Sequence, residues 1–327
     1  MNLTVAMKII GGFAIISILL IITSVISLLN LNTISDSTNQ QNQLAIPTLK
    51  GSNKLSLQLS QMANSTLKGF YRAELALLTE DLNAYQTIDS QFNPAFKQLK
   101  TLVQNESNLI GNLNKVTQIF SAFEEEALAV FENRKISIEQ KAILSERVDS
   151  LEERADDAST MLLDLADHDL AETKLQRAVV LGESIESLFN GVVTLAFEYK
   201  DSTDSKTVAM IEREITDSFD SLELSIADVI SELNSKGVND VSEELADAFE
   251  GVKVLVTGNE SILQNKTAQL NAIAIATEKL AAAEKSTKQA NDILAKQVNL
   301  ANAGNDAANI MVGESVSTGT NTTWAIM

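Results

Sequence analysis

The hydrophobic positions divide the chain into one continuous apolar run and a series of stripes at helical spacing. Ile9–Leu29 reads IIGGFAIISILLIITSVISLL and carries no charge. At about 1.5 Å per residue this run spans roughly 30 Å, the thickness of a bilayer's hydrocarbon core. A secretory leader has a shorter apolar region and ends at a small-residue cleavage site. Here the run passes directly into LLNLNTIS, so it reads as an uncleaved transmembrane anchor. Lys8 precedes it, and no Lys or Arg follows until Lys50. The positive-inside rule then puts residues 1–8 in the cytoplasm and the bulk of the chain outside.

Beyond the anchor the stripes predict six helices. The first continues from the anchor to about Leu78, with Pro47 and Gly51 as expected bend points. Thr79-Glu80-Asp81 reads as a tip, and a second helix follows to about Gln104. Asn105–Asn112 is the next turn. The third helix is long: Val116, Phe120, Phe123, Ala127, Val130, Arg134, Ser137, Lys141, Leu144, Val148, Leu151 and onward to Leu165 alternate steps of three and four. A turn near Asp167-His168-Asp169 leads to a fourth helix carrying Ile185, Leu188, Val192 and Tyr199. Lys200–Ser205 is another tip. A fifth helix carries Val208 to Leu233 and stops at Gly237. The sixth keeps one stripe from Leu245 through Asn259 and Lys266 to Leu280, then thins to alanine.

A weak internal repeat relates the halves: Ala122-Phe123-Glu124 matches Ala248-Phe249-Glu250, although bundle periodicity alone produces such matches. The predicted fold is therefore all-α, an N-terminal transmembrane helix (9–29) plus a six-helix elongated rod of two stacked four-helix bundles. The periplasmic region is 30–312. Its membrane-proximal bundle is about 44–141 plus 264–312, and its membrane-distal bundle about 142–263. Residues 313–327 read as a polar linker, then Trp324-Ala325-Ile326-Met327 as the start of a second membrane helix, which suggests a fragment of a longer receptor.

Composition sharpens this picture by exclusion. With 25 Lys and Arg against 44 Asp and Glu, the net charge of −19 argues against nucleic acid as a partner. With no cysteine, disulfides, thiolate metal sites and thiol nucleophiles are excluded. No phosphate-binding glycine loop, GxSxG or HExxH is present, so the chain reads as a non-enzyme without cofactor. His168, the one histidine, sits in an acidic turn and reads as solvated rather than as a metal ligand.

The anchor MKIIGGFAIISILLIITSVISLLNLNTI, the hairpin FYRAELALLTEDLNAYQTI and the long Ser/Gln/Ala-rich helices together resemble methyl-accepting chemotaxis proteins, specifically the helical bimodular sensing region. The likeness is one of architecture over nearly the whole chain. It implies a homodimer in the bacterial inner membrane that binds a small periplasmic ligand, such as a carboxylate, and signals for chemotaxis. A periplasmic binding protein is a further candidate partner. Two competing readings are the input region of a sensor histidine kinase of the trimethylamine-oxide-sensor type and a purely structural bundle.

The candidate site lies where cations interrupt the third stripe. Arg134 and Lys141 on a core-facing line are costly unless paired or bound by a ligand. Counting helix heights at about 1.5 Å per residue brings Arg72 level with Arg134, and Lys266 within about two turns. Lys68 lies four residues before Arg72, and Tyr71 beside it. These six could converge on a carboxylate, with Arg as fork and Lys as point charge. Glu74, Glu132 and Glu139 are the competing partners. The resemblance places the family's acid-binding arginine at Arg72. In the distal bundle Lys174, Arg177 and Arg213 read as surface cations.

Overall fold

A computed structural model describes residues 5–168, 171 and 174–326, and the side chains of 9–322 within them. The expectations resting on the Lys8 charge, Asp169 and the Trp324 ring lie outside the described residues and side chains. The described residues form an all-helical protein with an apolar N-terminal helix. Its order is α1 (Val5–Gln40), a π-helical turn (Gln41–Ala45), α2 (Ile46–Tyr71), α3 (Leu75–Leu102), α4 (Ser107–Asp164), a 3-10 turn (Leu165–Asp167), α5 (Gln176–Asp201), α6 (Ser205–Ser235), α7 (Asn239–Thr257) and α8 (Ile262–Ile326).

Two compact units emerge. The first takes residues up to Lys68, Glu80–Leu128 and from Leu280 on; the second takes Gly69–Thr79 and Ala129–Lys279.

In the first unit, α2, α3, α4 and α8 meet around a mixed core. Phe92 stacks on Phe120 with centroids 4.1 Å apart. Leu55, Leu59 and Met62 are fully buried, and so are Thr48, Ser52 and Gln297. Hydrogen bonds from Gln41 to Asn305 and from Ser56 to Asn291 fix α1–α2 antiparallel to α8. The α1 segment Ile9–Leu31 exposes nearly all of its large apolar side chains, Ile26 being half-buried. A water-soluble surface does not do this, and the segment is long and apolar enough to cross a membrane. The expected bend at Pro47 takes the form of the π turn just before it. Proline lacks an N–H and crowds the carbonyl four residues back, and a wide turn relieves both.

In the second unit, Leu144 to Leu165 of α4 and its 3-10 turn pack on Ile185, Phe189, Val192 and Tyr199 of α5, Ile211 to Leu233 of α6 and Leu245 to Val256 of α7. Helix α5 is also apolar enough to span a membrane by composition, but its stripe is buried, which marks it as a core helix. Asp204 caps α6 by accepting from the Thr207 amide and hydroxyl. Gly237, at φ 78°, closes α6, with Val238 N–H donating to Leu233 and Gly237 N–H to Asn234.

Three boundaries differ from the sequence reading. The first long helix ends at Tyr71, not near Leu78, so the tip is residues 72–74. The sixth predicted helix is two, interrupted at 258–261, where Glu260 takes a left-handed φ of 61°. Ser261 accepts from the Gln264 amide, and Gln264 Oε1 accepts from Glu260 N–H, which starts α8 afresh. The restart moves the buried stripe off Asn259 and Leu263 onto Ile262, Asn265 and Gln269, while Lys266 stays on it as expected. Residues 313–323, read as a linker, are helical. Gly319 lies against Asn30 of α1, and Thr320 and Thr322 return their hydroxyls to carbonyls four residues back.

Candidate ligand-binding site

Among the described residues, Arg134 and Lys266 are cations whose burial lowers their pKa, and both donate to helix C-termini. The Arg134 guanidinium donates through Nη2 to the carbonyl of Arg72, the first residue past α2, and through Nη1 to Ser137 Oγ at 3.5 Å. It lies 5.7 Å from the centroid of the Phe70 ring. Its Nε is buried with no hydrogen-bond partner. Burial lowers its proton affinity, yet arginine stays charged at any physiological pH.

Lys266 is 1% exposed, and its Nζ donates to the carbonyl of Lys200, the penultimate residue of α5, at 2.9 Å. Burial is the first cause that lowers its pKa and the like charge of Lys141 the second, with Asp201 opposing both. Each cation thus meets the negative end of a helix dipole, which offsets part of its desolvation. Among the described residues no carboxylate forms an ion pair with Arg134, Lys141 or Lys266. Glu139 is within 4.0 Å of Lys135 instead.

The fold therefore joins Arg134 to the main chain of Arg72, and leaves Lys141 near enough to Lys266 for its like charge to oppose that ammonium. Lys141 is exposed. Arg72 is half-buried and lies in the α2–α3 turn rather than on the first helix, because α2 stops one residue earlier. Tyr71 is 73% exposed and meets Phe70 edge-on at 5.1 Å. Lys68 is exposed and falls in the first unit, whereas the other five residues fall in the second.

Gln269 went unnoticed in the sequence. It is buried three residues after Lys266, on the same face, and its Oε1 has no partner. That i, i+3 spacing from a core lysine was the available signal. Nearby, buried Tyr199 donates to Glu212 at 3.2 Å; burial first, then the Glu212 charge, raise its pKa. A shallow groove of about 310 Å³ between α6 and α8 is lined by Glu212, Gln264, Thr267 and Asn271, and by none of the six expected residues. Lys174, Arg177 and Arg213 are exposed, the last 3.8 Å from Asp217. Among the described residues no group of three His, Asp or Glu is arranged to hold a metal.

No curated protein sequence matches the chain. A crystal structure of the TorS sensor domain in complex with TorT, in the presence of TMAO, aligns with 78% of this chain and 99% of its own, at 14% identity and a TM-score of 0.43. The four helix bundle sensory module for signal transduction matches residues 2–178, more than half of the chain. The chain therefore belongs to that family, the four-helix bundle sensory modules of methyl-accepting-type receptors.

Proposed function

We propose that this chain is the sensing half of a transmembrane chemoreceptor. In this reading α1 anchors it with the amino terminus in the cytoplasm, and the helical units bind a small organic acid outside. The membership in a sensory family and the exposed apolar α1 support the general role. The carboxylate ligand rests on one observation: Lys266 is buried within reach of the Lys141 charge, and among the described residues no carboxylate forms an ion pair with either. A buried cation is expensive, and an incoming anion removes that cost at the moment of binding. Arg134, with its unpartnered Nε, and Gln269 supply further hydrogen bonds in the same unit. A homodimer, and a periplasmic binding protein as carrier, are the partners this reading includes.

The test is thermal denaturation of the full chain in lipid nanodiscs with acetate, succinate, citrate and neutral analogues. A bound acid at a hundred times its dissociation constant should stabilise by about 2.7 kcal/mol. Lys266→Met and Arg134→Ala should each weaken the effect at least tenfold. A stabilising acid indifferent to both substitutions would remove this site from consideration.

A further inference from the structure

In the first unit, a cavity of about 400 Å³ opens where the π turn and the start of α2 meet the α3–α4 turn and α8. Thr48 lines it, fully buried, and Thr48 Oγ1 has no hydrogen-bond partner. Many helical threonines return this hydroxyl to the carbonyl four residues back, as Thr66 does to Met62 and Thr117 to Leu113. For Thr48 that carbonyl belongs to Leu44, inside the π turn, where the ladder is displaced.

Thr48 is not alone. Ser52 Oγ, one turn further along α2, is buried and unpartnered, and so is Gln297 Nε2 on α8. The Ser56–Asn291 and Gln41–Asn305 hydrogen bonds set the antiparallel register, which brings Ser52 level with about residues 294–295 and Thr48 with about 298–299, on either side of Gln297. Three buried polar groups without partners at one level of a bundle are unusual, because each carries a desolvation cost. Of the three, Thr48 lines the open cavity, and its hydroxyl has a hydrogen bond still to make there.

The lining sets the guest's chemistry. Leu44, Leu109 and Leu300 give apolar walls, while Gln40, Asn105 and Asn108 bring amides to the rim. Glu106 contributes a carboxylate and no cation lines the cavity; exposed Lys296 faces the neighbouring groove. The cavity is therefore unsuited to an organic anion.

We propose that it binds a small uncharged solute of the polyol or amide class, with Thr48 as the buried hydrogen-bonding anchor. This site is independent of the cations in the second unit.

The cavity can be filled by design. A Cβ added at Gly304, which lines it, meets nothing within 4 Å, so Gly304→Leu projects into the space with no backbone clash. Full-length chain in nanodiscs is titrated with glycerol, acetamide and glucose, and with acetate as the charged control, by saturation-transfer NMR. We expect at least one uncharged probe to saturate. We expect Gly304→Leu to abolish that saturation, Thr48→Val to weaken it at least fivefold, and acetate not to compete. Absence of saturation by all three uncharged probes means that water alone occupies the cavity, and the proposal fails. It also fails if binding survives Gly304→Leu unchanged, or if acetate competes equally. Should Thr48→Val not fold, the Gly304→Leu comparison decides the matter.

Discussion

Arg134 and Arg72 lie 62 positions apart in the chain, and the guanidinium of the first donates to the main-chain carbonyl of the second. A core-facing cation thus fixes where another helix ends. Arg134→Met removes a charge-assisted bond to a helix terminus and should cost about 1–3 kcal/mol of stability. Arg134→Lys should recover part of it. Chemical denaturation of the full chain in detergent reads both. Stability equal to the parent for Arg134→Met would show that the contact is incidental.

Lys266→Met should behave differently. It loses the bond to the Lys200 carbonyl but also the burden of a buried charge, so the two effects offset to within about 1 kcal/mol. Its signature is pH dependence. The folded state lowers the Lys266 pKa, so between that value and the ordinary lysine range the unfolded chain holds the extra proton. Stability therefore rises with pH across that interval. Melting curves at alkaline pH should show this rise in the parent and a flatter profile in Lys266→Met.

These two residues also show what a sequence can disclose. A cation inside a heptad stripe is visible by periodicity alone, and both Arg134 and Lys266 were found that way. Their partners were not, because main-chain carbonyls at helix ends leave no mark in composition. The end of α2 at Tyr71 was missed for the same reason: nothing in Arg72-Ala73-Glu74 breaks a helix, and its terminator comes from α4. The break before α8 was legible. Gly258-Asn259 followed by Ser261-Ile262-Leu263-Gln264 is a turn and a capping pattern, although an apolar stripe at helical spacing runs across it. At 313–323 the error ran the other way, since Gly, Ser and Thr suggest a linker until a neighbouring helix supports them.

A second pH effect belongs to the first unit. Glu124 has its pKa raised to about 7, first by burial, then by the charge of Asp89 and the hydrogen bond they share, with Asn93 opposing. The folded state thus holds the proton more tightly than the unfolded chain. This contribution is complete at pH 4 and is lost as pH rises through about 7. Glu124→Gln should remove the decline in melting temperature between pH 5 and 8. A decline of equal size in the variant would assign it to other groups.

Gly69 tests the packing of α2 on α4. A Cβ there would collide with the Phe131 ring, itself buried. Gly69→Ala should destabilise by about 1–3 kcal/mol despite alanine's better helix propensity. Adding Phe131→Leu to it should restore part of the loss, as a double-mutant cycle would report.

The bare apolar helix at the amino end has a further consequence. Fourteen large apolar side chains between Ile9 and Leu31 stand exposed. At about 1.5–3 kcal/mol for each one removed from water, their transfer into lipid is worth some tens of kcal/mol. Once inserted, such a protein does not return to solution during its working life. A chain held in this way would drift in a sheet and meet other copies by lateral diffusion, with an encounter rate set by copies per unit area rather than per unit volume.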